Sequence, residues 1–162
     1  MRDGLPALLR FADFGGDWQR YEAALYEAFC LDFVQARPAF RNQAVHLKRH
    51  PLLDGKEATF WHFITEGPNE HLRIPDLRRC ERIRWPRAII QHHDDPSLKV
   101  WENLRGRDRR VCLWLESEEY LVVLADRGAY VLPWTAYLVT ESHRKRKLQK
   151  EYEDYQRHGA PR

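Results

Sequence analysis

The segment from Arg110 to Tyr137, RVCLWLESEEYLVVLADRGAYVLPWTAY, constrains the fold of this chain most. Tyr120–Ala125 is a near-continuous apolar run of strand length, which is the pattern of a central strand buried on both faces. Val111–Leu115 before it alternates weakly, and Ser117-Glu118-Glu119 between the two is turn material. Asp126-Arg127-Gly128 reads as a tight hairpin turn, with Gly128 supplying the positive φ. Ala129–Leu132 then returns antiparallel. Pro133, which has no N–H to give a ladder, marks an edge or a bulge, and Trp134–Val139 continues the strand. Turns this short join only antiparallel neighbours.

Other elements are placed around this meander. Residues 17–36 read as a helix, with Trp18, Tyr21, Leu25, Ala28 and Phe29 near a 3.6-residue repeat, Asp17 as N-cap and Pro38 as the stop. ATFWHFIT, residues 58–65, reads as a strand from its aromatic and β-branched content, ended by Gly67-Pro68-Asn69. Residues 75–92 read as helical, with Pro75 at the start and Pro86 dividing or kinking the segment. His92–Ser97 and the arginine-rich stretch around Gly106 read as loops, and the tail from Ser142 to about Gln156 as a charged helix. The expected class is α+β: a central antiparallel sheet of about four strands with N-terminal helices and a basic C-terminal helix. Residues 1–50 form the helical N-terminal part, 51–153 the sheet-bearing domain and 154–162 a polar tail.

Net charge is only +3 over 162 residues, so its distribution matters more than its total. Residues 73–87 hold six arginines against Asp76 and Glu81, 105–110 four against Asp108, and 141–150 five basic groups against Glu141. One face of the folded chain could therefore be cationic. The three cysteines, Cys30, Cys80 and Cys112, are far apart and include no CxxC, which argues against a disulfide framework or a cysteine-built zinc site. No run approaches the roughly 20 apolar residues of a membrane span. A reducing, cytoplasmic setting is expected, with no membrane partner. His92-His93-Asp94-Asp95 and the His46/His50 pair have the residue types of a metal site but not its spacing on a stable helix, so no metal is expected.

The order of elements resembles the barnase–EndoU–colicin–RelE class of small ribonucleases, many of them phage-borne or toxin–antitoxin effectors. GKEATFWHFIT, DLRRCERIRWPRAII, RVCLWLESEEYLVVLADRGAYVLPWTAY and HRKRKLQKEYE carry the resemblance, over roughly residues 55–153. It is one of pattern, and makes 51–153 the nuclease domain. It implies a metal-independent endoribonuclease that cleaves RNA by 2′-OH transesterification without a cofactor, with RNA as substrate and an antitoxin or other inhibitor protein as partner.

Such a reaction needs a proton taken from the 2′-OH, one given to the leaving 5′-oxygen, and charge stabilisation on the phosphorane. Histidine suits either proton role and arginine the charge role. His62 is the first candidate, either as a catalytic imidazole or as a core histidine bonded to backbone. Thr135 and Tyr137, two apart on one strand face, could hold a phosphate oxygen, and Tyr137 could stack on a base. The alternative is ordinary strand chemistry. His143 opens the basic tail as a second acid–base candidate, with Lys145 beside it. Arg79 with Arg82, and Arg84 with Arg87, are i, i+3 pairs that either line an RNA groove or form a solvated face; Arg82 would support the phosphate. Arg127 sits at a hairpin tip. Two rival functions remain open: a non-catalytic RNA- or DNA-binding module, and a phage accessory or protein-interaction domain.

Overall fold

The computed structural model describes Met1 and residues 4–162. A five-stranded sheet forms the centre, in the order β1-β7-β6-β5-β4. Its strands are β1 (Ala44–Val45), β4 (Lys99–Arg105), β5 (Asp108–Leu115), β6 (Tyr120–Asp126) and β7 (Tyr130–Leu138). All neighbours are antiparallel except β1, which pairs with β7 in parallel. A second, two-stranded sheet pairs β2 (Thr65–Glu66) with β3 (Ile74–Pro75). The helices are α1 (Trp18–Phe29), α2 (Ala58–Ile64), α3 (Leu77–Glu81), α4 (Trp85–Gln91) and α5 (Ser142–His158). The α+β class stands.

Alternation along the central strands divides the core in two. Val111, Leu113 and Leu115 of β5 and Tyr120, Val122 and Leu124 of β6 face α1, α2 and α4, where they meet Leu25, Phe29, Phe60, Phe63 and Ile89. Cys112, Trp114, Leu121 and Val123 face the other way, toward Leu148, Tyr152 and Tyr155 of α5. The β6 run is apolar throughout because both faces are covered. Asp17 caps α1 through the Arg20 N–H, as its position predicts, and Gly128 has φ +83° in the β6–β7 turn.

Three expectations are corrected. ATFWHFIT is not a strand: Ala58–Ile64 is α2, and only Thr65 enters a strand. Phe60, Phe63 and Ile64 lie at i, i+3 and i+4 in one buried cluster, and the Phe60 and Phe63 rings pack on Phe29 and Phe33. That packing overrides the local β-preference of the aromatic residues. Six of the seven α2 residues are buried, so no polar face disclosed the helical period. The stretch around Gly106 is not a long loop. Lys99–Arg105 is β4, and only Gly106 and Arg107 separate it from β5, with Arg105 opposite Asp108. The 1–50 part, expected to be helical, also contributes the two-residue strand β1.

Two other features have local causes. Between residues 75 and 92, α3 ends at Glu81 and α4 starts at Trp85 with Pro86 in its first turn, so the segment is two helices. Pro133 lies beside a bulge. Val123 pairs with Thr135 and Leu124 with Pro133, which leaves Trp134 as the extra residue. On the other side, β1 reaches only Tyr130 and Val131, so β7 is an edge at Pro133 and the missing N–H leaves no ladder bond unmade. The bulge turns Trp134 toward α2.

Candidate functional site

A cleft of roughly 750 Å³ opens where α2, the residue 66–73 loop, α3, the second half of β7 and the start of α5 meet. His62, Glu70, Arg73, Arg79, Trp134, Thr135, Tyr137 and Arg144 are among the residues that line it.

Arg79 holds the cleft together. Its helix begins at Asp76, whose carboxylate accepts from the Arg78 N–H. One turn on, the Arg79 guanidinium reaches the C-terminal end of α2. Its Nη1 donates to the carbonyls of His62 (3.3 Å) and Thr65 (3.0 Å) and to Thr135 Oγ1 (3.1 Å). A cation there satisfies carbonyls the helix end leaves open and complements its dipole. The same guanidinium lies over the Tyr137 ring, 5.2 Å from its centroid, so α2, β2 and β7 are joined through one side chain. Its Nε has no hydrogen bond and sits 3.8 Å from an Asp76 oxygen.

Arg73 reaches the same point from the loop. Its Nε donates to Thr65 Oγ1 (2.9 Å) and its Nη2 to the Thr65 carbonyl (2.6 Å). Among the described residues no carboxylate comes within ion-pair distance of it. Burial and then the positive charge of Arg79 lower its pKa, partly offset by Glu70 and Glu66. Two guanidinium groups held this close, one of them without an ion-pair partner, favour an anion between or beside them.

His62 and Glu70 form the titratable pair. The imidazole Nε2 is 2.7 Å from Glu70 Oε1, and the ring stands edge-on to Trp134 with centroids 5.6 Å apart. His62 is only 5% exposed. Desolvation lowers its pKa below the usual 6.5; the Glu70 bond and charge oppose that shift without cancelling it. Burial pushes the Glu70 carboxyl up, but the His62 hydrogen bond and the charges of His62, Lys48 and Arg73 outweigh it, and the net shift is downward. Near neutral pH this is a neutral imidazole donating to a carboxylate. The Glu70 side chain is 41% exposed and so faces both the imidazole and solvent. Its position is set by Asn69, whose side chain accepts from the His71 and Leu72 N–H groups and caps the short 3₁₀ turn of Glu70–Leu72. Lys48 approaches Glu70 at 3.7 Å and covers the Trp134 ring at 5.0 Å.

The expected residues divide between the cleft and other places. His62, Arg79, Thr135 and Tyr137 come together in it. Arg82 follows the end of α3; it folds over Trp85 and bonds the Arg78 carbonyl and Glu81. The i, i+3 row of Arg79 and Arg82 therefore does not exist as one face. Arg84 grips the carboxylate of buried Asp32, at 2.8 Å and 3.3 Å, and Arg87 bonds the Asp32 and Ala36 carbonyls. These two join α4 to the π-helical turn after α1. Arg127 pairs with Asp108 across neighbouring hairpin tips. Lys145 pairs with Glu119. His143, 70% exposed, contacts Glu141 at 3.2 Å and does not line the cleft.

Sequence reasoning missed Glu70, Lys48, Trp134 and Arg144, and counted Arg73 only as part of a charged stretch. Asn69-Glu70 directly after a Gly-Pro break was the available signal, since a capping Asn fixes the acid that follows it. The lining is electrically balanced: Glu66, Glu70, Asp76 and Glu141 face Arg73, Arg78, Arg79 and Arg144. Any preference for an anion therefore rests on the local Arg73–Arg79 pair and not on net charge.

No protein-family model matches the chain, and none of the curated proteins or solved structures matches it either. Among the described residues no helix is long and apolar enough to cross a membrane, and no three imidazole, thiol or carboxylate side chains gather in metal-ligating positions.

Proposed function

We propose that this cleft cleaves RNA by internal transesterification, the chemistry of the ribonuclease class that the sequence resembles. One observation carries the reading. A hydrogen-bonded carboxylate–imidazole pair shares a single open cleft with two converging guanidinium groups and the hydroxyls of Thr135 and Tyr137.

In this reading Glu70, ionised at neutral pH, takes the proton from the ribose 2′-OH. The 2′-oxygen bonds to phosphorus and the bond to the 5′-oxygen breaks. Arg73 and Arg79 stabilise the charge that develops on the phosphorane oxygens. Tyr137 donates its phenolic proton to the departing oxygen, and solvent then carries the proton held by Glu70 back to the Tyr137 oxygen, which resets both groups. His62 orients Glu70 and, being nearly buried, acts through it. The product ends are a 2′,3′-cyclic phosphate and a free 5′-OH. A toxin-type effector of this chemistry would also need an inhibitor protein in the cell that makes it.

The test is incubation with RNA in excess chelator, followed by end-group analysis. Cyclic phosphate ends, lost in Glu70→Gln, support the reading; intact RNA, or cleavage that Glu70→Gln leaves unchanged, overturns it. The near burial of His62 and the balanced lining favour a second reading, non-catalytic RNA binding. A salt-sensitive mobility shift without product would assign that one.

A further inference from the structure

A second groove, of about 290 Å³, runs between the first turns of α5 and the sheet face that α5 packs on, lined by Arg105, Tyr137, Val139, Arg144, Lys147, Leu148 and Glu151. It shares Tyr137, Val139 and Arg144 with the cleft, so the two form one continuous surface. Its charge is not balanced: Arg105, Lys147 and Arg144, the last of them 3.7 Å from Glu141, face one carboxylate.

That carboxylate is already engaged. Glu151 Oε2 accepts from Trp101 Nε1 and from Asn103 Nδ2, both at 3.1 Å, which fixes α5 to β4. Among the described residues neither Arg105 nor Lys147 has an ion-pair partner, and both are exposed. Arg144 and Lys147 are i, i+3 on α5 and project along one side of the groove. Arg105, at the end of β4, enters from the other. Arg110, on the same sheet face, lies over Trp134 at 5.5 Å and extends the cationic surface back toward His62.

We propose that this groove carries the backbone of a single-stranded RNA beyond the nucleotide held in the cleft, with Arg105 and Lys147 on phosphates and Arg144 at the junction. The proposal rests on the reading of the cleft as an RNA site. Guanidinium and ammonium groups without protein partners are the contacts that release counterions when phosphate binds.

The experiment measures binding of a 12-nucleotide single-stranded RNA, with 2′-O-methyl sugars to prevent cleavage, across a salt series. Arg105→Ala/Lys147→Ala is compared with Arg10→Ala/Arg20→Ala, which removes two exposed cations from the N-terminal segment. Loss of two phosphate contacts lowers the slope of log affinity against log salt by about 1.4. The expected result is that fall, with affinity down about tenfold or more, in the groove variant only, and an unchanged turnover rate on a dinucleoside monophosphate. Equal effects of the two double variants, or none, would overturn the groove while leaving a cleaving cleft intact. Groove-dependent binding by a protein that never cleaves RNA would do the reverse: it would support the groove and remove the catalytic reading.

Discussion

At the residue scale, the function turns on which of His62 and Glu70 meets the substrate. The imidazole was legible as a candidate because histidine among apolar residues is uncommon. Its role was not, because the element around it was read as a strand and its partner lies eight residues on in an unpatterned loop. In the proposed cleavage, the burial of His62 leaves Glu70 as the group that would meet the substrate. Glu70→Gln should therefore lower turnover by a factor on the order of 10²–10⁴ while the Michaelis constant shifts less than about threefold; steady-state kinetics on a defined oligonucleotide would read both. The same pair predicts a pH dependence of stability. His62 binds its proton less readily folded than unfolded, so the unfolded state takes up more protons once pH falls below about 6.5. The stability tied to His62 is thus fully present above that pH and is lost as pH falls from 6.5 toward the lowered folded value. Glu70, with its own lowered pKa, adds a loss of the same sign at more acid pH. Urea midpoints should fall from pH 7.5 to 5.5 in the native chain and fall less in His62→Gln; parallel curves would remove the imidazole as a stability determinant.

At the element scale, the short hairpin of β2 and β3 decides whether Glu70 is in place. Gly67 makes it possible. A Cβ there would lie 2.5 Å from the Leu72 carbonyl oxygen and 2.8 Å from the Arg73 Cα, both backbone atoms that cannot swing aside. Gly67→Ala must push the two limbs of the loop apart. Overpacking of this kind costs about 1–3 kcal/mol, and it would separate Glu70 from His62 and Arg73 from Thr65. Cleavage should drop together with thermal stability, whereas Gly4→Ala, at a position with open space around the Cβ and no left-handed φ, should leave both unaffected. The sequence marked Gly67-Pro68-Asn69 as a break and nothing more, because close backbone approach has no local pattern. The meander was legible for the opposite reason. Its turns and its two-face burial are written into consecutive residues, and β6 and β7 formed as expected. β4 was overlooked because a strand with alternating Trp101, Asn103 and Arg105 beneath a charged helix looks like polar loop until Trp101 and Tyr152 are seen in contact.

At the scale of the whole molecule, the division at residue 50 can be weighed against the packing. Tyr21, Leu25, Phe29 and Phe33 share one buried cluster with Phe60 and Phe63 of α2 and with Val122 and Leu124 of β6. Arg84 on Asp32 and the Trp85 indole on the Pro6 carbonyl tie the later helices back to the first residues. The cleft depends on this arrangement, since α2 can present His62 only while its other face is packed on α1. Phe29 is the test position: it is fully buried and its ring contacts Tyr26, Phe33, Phe60 and Phe63. Truncating such a residue costs about 3–5 kcal/mol. If the N-terminal helix and the sheet unfold as one unit, hydrogen exchange of the β6 amides, on the far side of the cluster, should lose that same amount of protection in Phe29→Ala. The α5-facing indoles of Trp101 and Trp114 should become exposed in the same denaturant transition. Undiminished β6 protection would mean that the sheet stands without α1, and the N-terminal part could then be removed without disturbing the site.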